Sequence, residues 1–326
     1  MLRKIRNKVI LIFLFAQLSV VSQQGLVLNN YGISDGISQS SVLTITSDPL
    51  GKIWFGTQDG LNSFEGYQFE VFARDEIRNL KSSYIQCSNN DQRGNLWFGS
   101  KKDIILYRTK TASFSIYSLP EGTAPIQQIV TDSFNHVWLL TSGHELLHFN
   151  PYSCQFAQKK CVEKPKQLVQ AEDNAYVLTD QNSLISLSAG TMGNALFVPP
   201  KTPINSVFYS EGMLYLFLPS SVLEYSFKTG RMKPVFTSWK DYPSQAVSGI
   251  VKTNYGFIIG TLYNGLYHIS KNQNITHYSA DFSRNNSLPS NNINSLYKDA
   301  TGTVWIGTTK GLSAIGENTN ALHSIG

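Results

Sequence analysis

The four residues Trp54-Phe55-Gly56-Thr57 begin a pattern that returns along the chain. Closely similar stretches stand at Trp97-Phe98-Gly99-Ser100 and at Trp305-Ile306-Gly307-Thr308. In each copy an Asp stands six residues before the Trp and a Gly stands three residues before it, so the pattern reads D-x-x-G-x-x-W. The chain is therefore built from repeats.

Weaker copies occupy the middle of the chain and complete the series. The residues at the Trp position are Trp54, Trp97, Trp138, Tyr176, Tyr215, Ile258 and Trp305, with spacings of 43, 41, 38, 39, 43 and 47 residues. A period of about 40 to 50 residues is typical of propeller blades with four strands each. The sequence therefore predicts an all-β fold: a seven-bladed β-propeller of four-stranded antiparallel blades.

Strand and turn signals alternate within the first repeat. The β-branched run that contains Val42 and Ile45 predicts an inner strand. The next residues, Asp48-Pro49-Leu50-Gly51, are those preferred at the first, second and fourth positions of a type I turn. The second, third and fourth strands are then predicted at Ile53 to Thr57, Leu61 to Phe64 and Tyr67 to Phe72.

The packing of the blades follows from residue size. Trp54 is large enough to fill the wedge between adjacent blades, whereas Gly56 allows a neighbouring backbone to approach closely. The segment Leu26 to Tyr31 resembles an outer strand placed before the first inner strand. We expect it to pair with the seventh blade, because ring closure removes an exposed sheet edge.

The amino terminus has the pattern of a signal peptide. Arg3, Lys4, Arg6 and Lys8 precede an apolar run of thirteen residues, which is short of the roughly 20 that span a membrane. We therefore expect residues 1–22 to be a signal peptide, cleavage near Gln23, and a mature propeller of residues 23–326 without a membrane span. An uncleaved anchor is the alternative.

Without residues 1–22, the net charge of the chain is close to zero. The first 22 residues hold four of the 27 basic residues and none of the 22 acidic ones, so 23 basic and 22 acidic residues remain. An exported, nearly neutral domain with no other basic run lacks the positively charged surface that is typical of nucleic-acid binding. We expect a periplasmic location and no nucleic-acid partner.

The chain contains three cysteines. Cys87 falls on an inner strand and is expected to be a small buried residue. Cys154 and Cys161 flank the predicted outer strand of the third blade, and they are the one locally plausible disulfide pair. A straight strand between them would hold the sulfur atoms too far apart, so pairing would require the chain to turn back near Gln158.

One catalytic motif occurs by sequence: His144-Glu145-Leu146-Leu147-His148 matches the H-E-x-x-H pattern of zinc proteases. That chemistry requires a helix, in which residues four apart share a face. The repeat register instead places His144 in a turn and His148 on the third strand of its blade, about 13 Å away. We therefore predict no metal site there, no cofactor, and no catalytic set elsewhere in the chain.

The repeat resembles that of the two-component regulator propeller family. The resemblance rests on Asp35-Gly36-Ile37-Ser38-Gln39 and on the D-x-x-G-x-x-W-F-G-T-x-x-G-L pattern, and it weakens in repeats three to five. There Leu140, Leu178 and Phe217 replace the glycine of the pattern. The resemblance implies the periplasmic sensor region of a hybrid two-component system sensor histidine kinase, which binds an oligosaccharide to regulate polysaccharide utilisation.

The resemblance also implies partners: a second propeller or a sensor kinase domain, with the kinase activity lying in domains absent from this chain. We therefore expect this chain not to be an enzyme. The alternative is a free-standing exported propeller that acts as a carbohydrate-active enzyme or as an assembly scaffold. A homodimer also remains open.

The ligand is expected on the face that carries the loops between second and third strands. The loops of that face surround the mouth of the central channel in a propeller. The candidate ligand-binding residues are Asp59, Lys101, Lys102, His144, Gln181, Tyr263, Asn264 and Lys310. Their cations, amides and aromatic ring suit hydroxyl-rich or acidic sugars.

Overall fold

The computed structural model of the protein describes residues 26–73, 76–197, 200–236, 246–281, 283–284 and 286–316. Within these ranges, 28 strands form seven four-stranded sheets, which confirms the predicted seven-bladed propeller. Each sheet pairs its strands in antiparallel order, and a short 3₁₀ helix spans Ile33–Asp35. The predicted signal peptide at residues 1–22 and its cleavage site near Gln23 lie outside the described residues.

The strands follow the chain from the centre of each blade outwards. Blade 1 contains β2 Val42–Ser47, β3 Ile53–Thr57, β4 Gly60–Phe64 and β5 Phe69–Phe72; blade 2 contains β6 Ile85–Asn90, β7 Leu96–Ser100, β8 Asp103–Arg108 and β9 Ser113–Ser118; blade 3 contains β10 Ile126–Thr131, β11 Val137–Thr141, β12 Leu146–Asn150 and β13 Gln155–Lys159; blade 4 contains β14 Pro165–Ala171, β15 Asn174–Thr179, β16 Leu184–Ser188 and β17 Thr191–Ala195. Blade 5 contains β18 Ser206–Ser210, β19 Met213–Phe217, β20 Val222–Ser226 and β21 Arg231–Phe236; blade 6 contains β22 Val247–Thr253, β23 Gly256–Thr261, β24 Leu266–Ser270 and β25 Ile275–Tyr278; blade 7 contains β26 Ile293–Lys298, β27 Val304–Thr308 and β28 Gly311–Ile315.

Blade 7 takes its fourth strand from the beginning of the chain. The strand β1, Asn29–Tyr31, pairs antiparallel with β28, so that Tyr31 lies opposite Leu312. Tyr31 also packs its ring against Phe64 and Phe69 of blade 1, with centroids 5.6 Å away in both cases. The predicted ring closure is confirmed, although the paired segment is shorter than the predicted Leu26 to Tyr31.

Four blades connect their first two strands through an Asp that accepts three hydrogen bonds. In blade 1, one oxygen of Asp48 accepts the backbone N–H groups of Leu50 and Lys52, at 2.9 and 3.0 Å. The other oxygen accepts the indole N–H of Trp54 at 3.3 Å. The same three bonds recur around Asp91, Asp132 and Asp299. We call blades 1, 2, 3 and 7 the Asp-turn blades.

The three remaining blades make the same connection with two residues. Their loops are Glu172-Asp173, Glu211-Gly212 and Asn254-Tyr255, each closed by a paired residue on both sides. In the blade 5 loop, Glu211 and Gly212 both have positive φ, 50° and 78°, as a tight right-twisting hairpin requires. We call blades 4, 5 and 6 the hairpin blades.

The predicted roles of Trp54 and Gly56 are confirmed. Trp54 is fully buried, and its ring lies 4.4 Å from that of Tyr107 in blade 2. A Cβ atom on Gly56 would lie 2.6 Å from the backbone oxygen of Ile85, the first residue of the next inner strand. The glycine therefore allows blade 2 to pack directly against β3.

The cysteines lie where the repeat predicts them. Cys87 is buried on the inner strand β6, and this burial raises the pKa of its thiol. Cys154 and Cys161 lie on the two sides of β13 and are free thiols. The strand between them runs in register with β12 through Gln158, so the chain does not turn back to bring the two sulfur atoms together.

Candidate functional site

The inner strands of all seven blades enclose a central channel with a cavity of about 360 Å³. Its polar lining consists of amide and hydroxyl side chains: Thr44, Gln86, Ser88, Asn89, Gln128, Gln167, Gln170, Tyr209, Ser248, Asn294 and Ser295. No Asp, Glu, Lys or Arg is among the described residues that line this cavity. The channel is therefore polar but free of formal charge.

A β-bulge near the start of the inner strand shapes the mouth of the channel. In six blades the pairing of first and second strands skips one residue; only blade 5, among the described strands, pairs without a skip. The skipped residues are Leu43, Gln86, Gln127, Lys166, Ser248 and Asn294. All of them except Gln127 line the channel or its mouth. A bulge re-aims side chains in this way and is common beside functional sites.

A second cavity of about 320 Å³ continues the channel at that end, and it shares Gln128, Gln167, Phe208, Ser248 and Asn294 with the first. We call this end the top face. Lys166 is the one formally charged residue among the described residues that line it. Its ammonium group donates to the backbone oxygen of Ile204 at 2.6 Å, and burial lowers its pKa.

Several amide side chains of the channel bridge to the next blade. Leu168 N donates to Gln128 Oε1 at 2.6 Å, Gln167 bonds both backbone groups of Val207, and Asn294 Nδ2 donates to the backbone oxygen of Val42 at 2.8 Å. These side chains are held in place by the scaffold. The hydroxyl of Ser248, in contrast, is buried and has no hydrogen-bond partner within the described part of the chain.

Side-chain bridges span the opposite end of the channel, which we call the bottom face. Gln92 of blade 2 reaches across blade 3 and donates to the backbone oxygen of Asp173 in blade 4 at 3.1 Å. Lys298 of blade 7 reaches across blade 6 and forms an ion pair with Glu211 of blade 5. Each bridge therefore joins blades two apart at the bottom face.

All eight predicted ligand-binding residues lie in loops between second and third strands, as the register predicts. These are Asp59 in blade 1, Lys101 and Lys102 in blade 2, His144 in blade 3, Gln181 in blade 4, Tyr263 and Asn264 in blade 6, and Lys310 in blade 7. Backbone hydrogen bonds join such loops to the segments that precede inner strands, as between Gly60 and Ser83 at 2.8 Å. Both kinds of loop therefore lie on the top face.

The structure does not gather these eight side chains into one site. None of them lines the central channel, and only Lys101 and Lys102 line a common cavity. Tyr263 is 72% exposed, and the imidazole of His144 instead contacts the backbone oxygen of Pro165 at 3.1 Å. Their part in ligand binding stays a prediction.

The H-E-x-x-H segment has the predicted strand-and-turn conformation. His144 lies in a turn with a positive φ of 60°, and His148 lies on β12. His148 faces His136, with Nε2 and Nδ1 2.9 Å apart, whereas His144 contacts Pro165. The two histidines of the motif thus have different neighbours.

Sequence reasoning missed the residues that line the channel mouth, although a signal for them was present. The buried pairs Val42 and Ile45, and Ile126 and Ile129, are three residues apart, as are Ile293 and Leu296. In a regular strand, every second side chain points to the same face of the sheet. An odd interval inside a short strand therefore indicates an inserted residue.

Parts of the sequence are similar to known proteins. The family model of the two component regulator propeller matches residues 287–310, which contain the inner strand, Asp turn and second strand of blade 7. A curated relative, histidine kinase P4 of Formosa agariphila, is 39% identical over 64 residues. The match covers 19% of this chain and 5% of that protein. The resemblance of the repeat to the regulator propeller family is confirmed.

Solved structures share the architecture over most of the chain. The extracellular domain assigned to a hybrid two component system of B. thetaiotaomicron is 20% identical with a TM-score of 0.66, over 90% of this chain and 42% of that one. Virginiamycin B lyase from Staphylococcus aureus is 11% identical with a TM-score of 0.66, over 90% of this chain and 99% of the lyase. At these identities the likeness concerns the fold alone.

Two further observations bear on the class of protein. No helix among the described residues is long and apolar enough to cross a membrane. Within the same residues, no group of three or more His, Cys, Asp or Glu side chains has an arrangement that could hold a metal ion.

Proposed function

We propose that this chain is the ligand-binding propeller of a periplasmic sensor in a hybrid two-component system, and that it binds an oligosaccharide at the mouth of its central channel. The regulator-propeller match in blade 7 and the sensor ectodomain fold support the class of protein. The observation that carries the ligand proposal is the set of bulged side chains at the channel mouth.

The chemistry of this mouth suits sugars. Gln86 and Asn294 offer amide donors and acceptors, and Phe208 offers an aromatic face. Sugar rings present hydroxyl groups at their edges and C–H groups on their faces, so amides and aromatic rings complement them. The top face leads into the channel cavity through this group of side chains.

The signal would reach a sensor kinase domain or a second propeller as a partner, with residues 1–22 directing export to the periplasm. The solved structure from B. thetaiotaomicron supports this arrangement, because it is an extracellular domain assigned to a hybrid two component system. The chain spans 5% of the curated histidine kinase and 42% of the solved ectodomain, so the kinase and the remaining ectodomain stay part of the proposal.

Titration calorimetry against a panel of plant and host oligosaccharides tests the ligand proposal. With the glycan that binds, we expect Gln86→Ala and Asn294→Ala each to weaken binding about tenfold, as loss of one or two buried hydrogen bonds does. Gln68→Ala is the matched control, because this exposed glutamine lies in a loop at the opposite end of blade 1. Equal affinities for all four proteins would place the ligand elsewhere.

The same samples separate a sensor from an enzyme. A sensor module returns the glycan unchanged, whereas a carbohydrate-active enzyme yields shorter products or an unsaturated sugar by mass spectrometry. This comparison is needed because lyases share the fold. A protein that neither binds nor cleaves any glycan would fit the assembly scaffold instead.

A further inference from the structure

The top face of blade 2 carries a cavity of about 460 Å³ that is separate from the central channel. Three lysines line it: Lys81 from the segment that connects blades 1 and 2, and Lys101 and Lys102 from the loop between β7 and β8. Its other walls come from residues 119–123, and Glu121 is the one carboxylate among the described lining residues. The cavity therefore has an excess of positive charge.

Within the described part of the chain, the lysines form no ion pair with a carboxylate. None of the ion pairs among the described residues includes Lys81, Lys101 or Lys102. The ammonium group of Lys101 lies 4.0 Å from the centre of the Tyr84 ring, which positions this cation over an aromatic face. Like charges held around one cavity repel each other unless an anion enters, so the arrangement favours an anionic ligand.

The backbone beneath the lysines is held in place by buried polar groups. Lys81 N donates to Asp103 Oδ2 at 2.9 Å, and Lys102 N donates to Ser100 Oγ at 3.2 Å. Lys102 in turn accepts a hydrogen bond from Leu119 N through its backbone oxygen at 2.9 Å. The two segments that supply the lysines are thus joined to each other and to the wall of the cavity, which reduces the ordering cost of binding.

Blade 2 departs from its own repeat at this point. Blades 1 and 7 have Gly60 and Gly311 at the first residue of the third strand, with positive φ of 105° and 135°. Blade 2 has Asp103 there, fully buried, and its carboxylate bonds Lys81 N and Ser118 Oγ. A buried carboxylate is costly unless it is bonded, so its use here indicates that the position of Lys81 matters.

We propose that this lysine cavity binds an anionic substituent, a sulfate or a carboxylate, of an acidic saccharide. The proposal rests on the proposed function and deepens it, because it assigns the ligand to acidic glycans, whose hydroxyl groups the channel mouth would contact. The contribution of the lysines is electrostatic, so binding should weaken as the salt concentration rises.

The test uses three probes of matched length: a sulfated galactan oligosaccharide, an oligogalacturonate and a neutral malto-oligosaccharide. We expect one acidic probe to bind at least tenfold more tightly than the neutral one in titration calorimetry at low salt. The double variant Lys101→Gln/Lys102→Gln should lose that advantage and its salt dependence. The preferred acidic probe identifies the group as sulfate or carboxylate.

The double variant Lys110→Gln/Lys271→Gln is the matched control, because it removes the same charge from exposed loops between third and fourth strands. It should bind within twofold of the parent. An equal loss in both double variants would show a general charge effect and overturn the inference. Because no hydrogen bond among the described residues involves the substituted ammonium groups, thermal unfolding should confirm that all variants fold alike.

The outcome separates this inference from the proposed function. If the neutral probe binds as tightly as the acidic ones and Asn294→Ala weakens all of them, the lysine inference is wrong and the proposed function stands. If the lysine variant loses an acidic probe while Gln86→Ala and Asn294→Ala change nothing, the lysine site stands and the channel mouth is wrong.

Discussion

The Asp-turn blades and the hairpin blades solve the same packing problem with different chemistry. In the Asp-turn blades one carboxylate closes the turn and also accepts the indole N–H of a Trp in the blade wedge. In the hairpin blades the turn is two residues long, and the wedge positions hold Tyr176, Tyr215 and Ile258. The hairpin blades therefore have neither the carboxylate acceptor in the turn nor the Trp indole that would donate to it.

The two groups form two arcs of the ring. Blades 7, 1, 2 and 3 are consecutive, since the chain closes between blades 7 and 1, and blades 4, 5 and 6 are consecutive as well. The Asp-turn arc keeps the repeat recognisable in sequence, and the family match lies within it. The hairpin arc shows that the propeller geometry tolerates loss of the motif when the turn and the wedge residue change together.

Removal of the carboxylate is expected to have the largest effect. Asp91→Ala would leave the buried indole N–H of Trp97 and the backbone N–H groups of Arg93 and Asn95 without an acceptor. We expect a loss of about 3 to 4 kcal/mol in the free energy of unfolding, since each unpaired buried group costs about 1 to 3 kcal/mol. Urea denaturation measures it.

The hairpin arc supplies the control for that variant. Asp173→Ala removes the same side chain from a two-residue loop, where its hydrogen bond to Gln92 uses the backbone oxygen. We expect a change within about 0.5 kcal/mol. Comparable losses in the two variants would mean that the Asp-turn is not the stabilising element of its arc.

The second prediction concerns the glycine that follows the wedge residue. Gly56→Ala places a Cβ 2.6 Å from the backbone oxygen of Ile85, and backbone cannot move away without separating two blades. We expect a loss of about 3 kcal/mol in urea denaturation. Gly143→Ala is the control, because its Cβ would meet Ala124 at an ordinary 3.4 Å and should change stability little. A mild Gly56→Ala would show that blade 1 repacks as readily as blades 3, 4 and 5, which hold Leu140, Leu178 and Phe217 at this position.

The third prediction lies at the boundary of the two arcs. His148 of blade 3 packs between the Trp138 ring, 5.0 Å away, and Gly190 of blade 4, where an added Cβ would lie 2.8 Å from the imidazole. Burial, together with the nearby His136 and Lys159 side chains, lowers the pKa of His148 to about 4, while Asp132 acts in the opposite direction. The folded protein therefore keeps this imidazole neutral at neutral pH.

The sign of the pH dependence follows from linkage. The unfolded chain binds the proton with a pKa of about 6.5, so the unfolded state holds more protons between that pH and about 4. The free energy of unfolding should be at its full value above about pH 6.5 and should fall by about 3 kcal/mol towards pH 4. His148→Gln should flatten this profile, whereas His144→Asn, which changes an exposed histidine of the same blade, should retain it.

The sequence predicted most of the fold because the fold is carried by its repeat. Trp54 and Gly56 predicted the blade wedge, and Ile53 to Thr57 was predicted with the bounds that the structure has. The role of Asp48 was predicted only in part: the turn chemistry was evident, but the bond to the Trp54 indole is a contact that spacing alone does not show.

The candidate site was less accessible to sequence reasoning. Loop membership placed Lys101 and Lys102 on the top face, but it could not show that Lys81, about twenty residues earlier, lines the same cavity. The channel mouth depends on a one-residue slip in pairing, which changes where Gln86 or Ser248 points without changing composition. Such register shifts are properties of strand pairs. The sequence of a single strand does not specify the pairing.

The smallest expected effect concerns Tyr215, the wedge residue of blade 5 in the hairpin arc. Tyr215 occupies the wedge position of blade 5 and is fully buried, but its hydroxyl has no hydrogen-bond partner within the described part of the chain. Burial raises the pKa of this phenol, so the group stays neutral and still lacks the acceptor that an Asp turn would provide. Tyr215→Phe should therefore raise the free energy of unfolding by about 1 kcal/mol, since an unpaired buried hydroxyl is unfavourable.

Tyr297→Phe is the control, because it removes a hydroxyl that bonds Ser47 at 2.6 Å in the Asp-turn arc, and it should lower stability by a similar amount. If urea denaturation shows both variants destabilised, Tyr215 has a partner in solution, and the two arcs differ in the identity of the acceptor rather than in its loss.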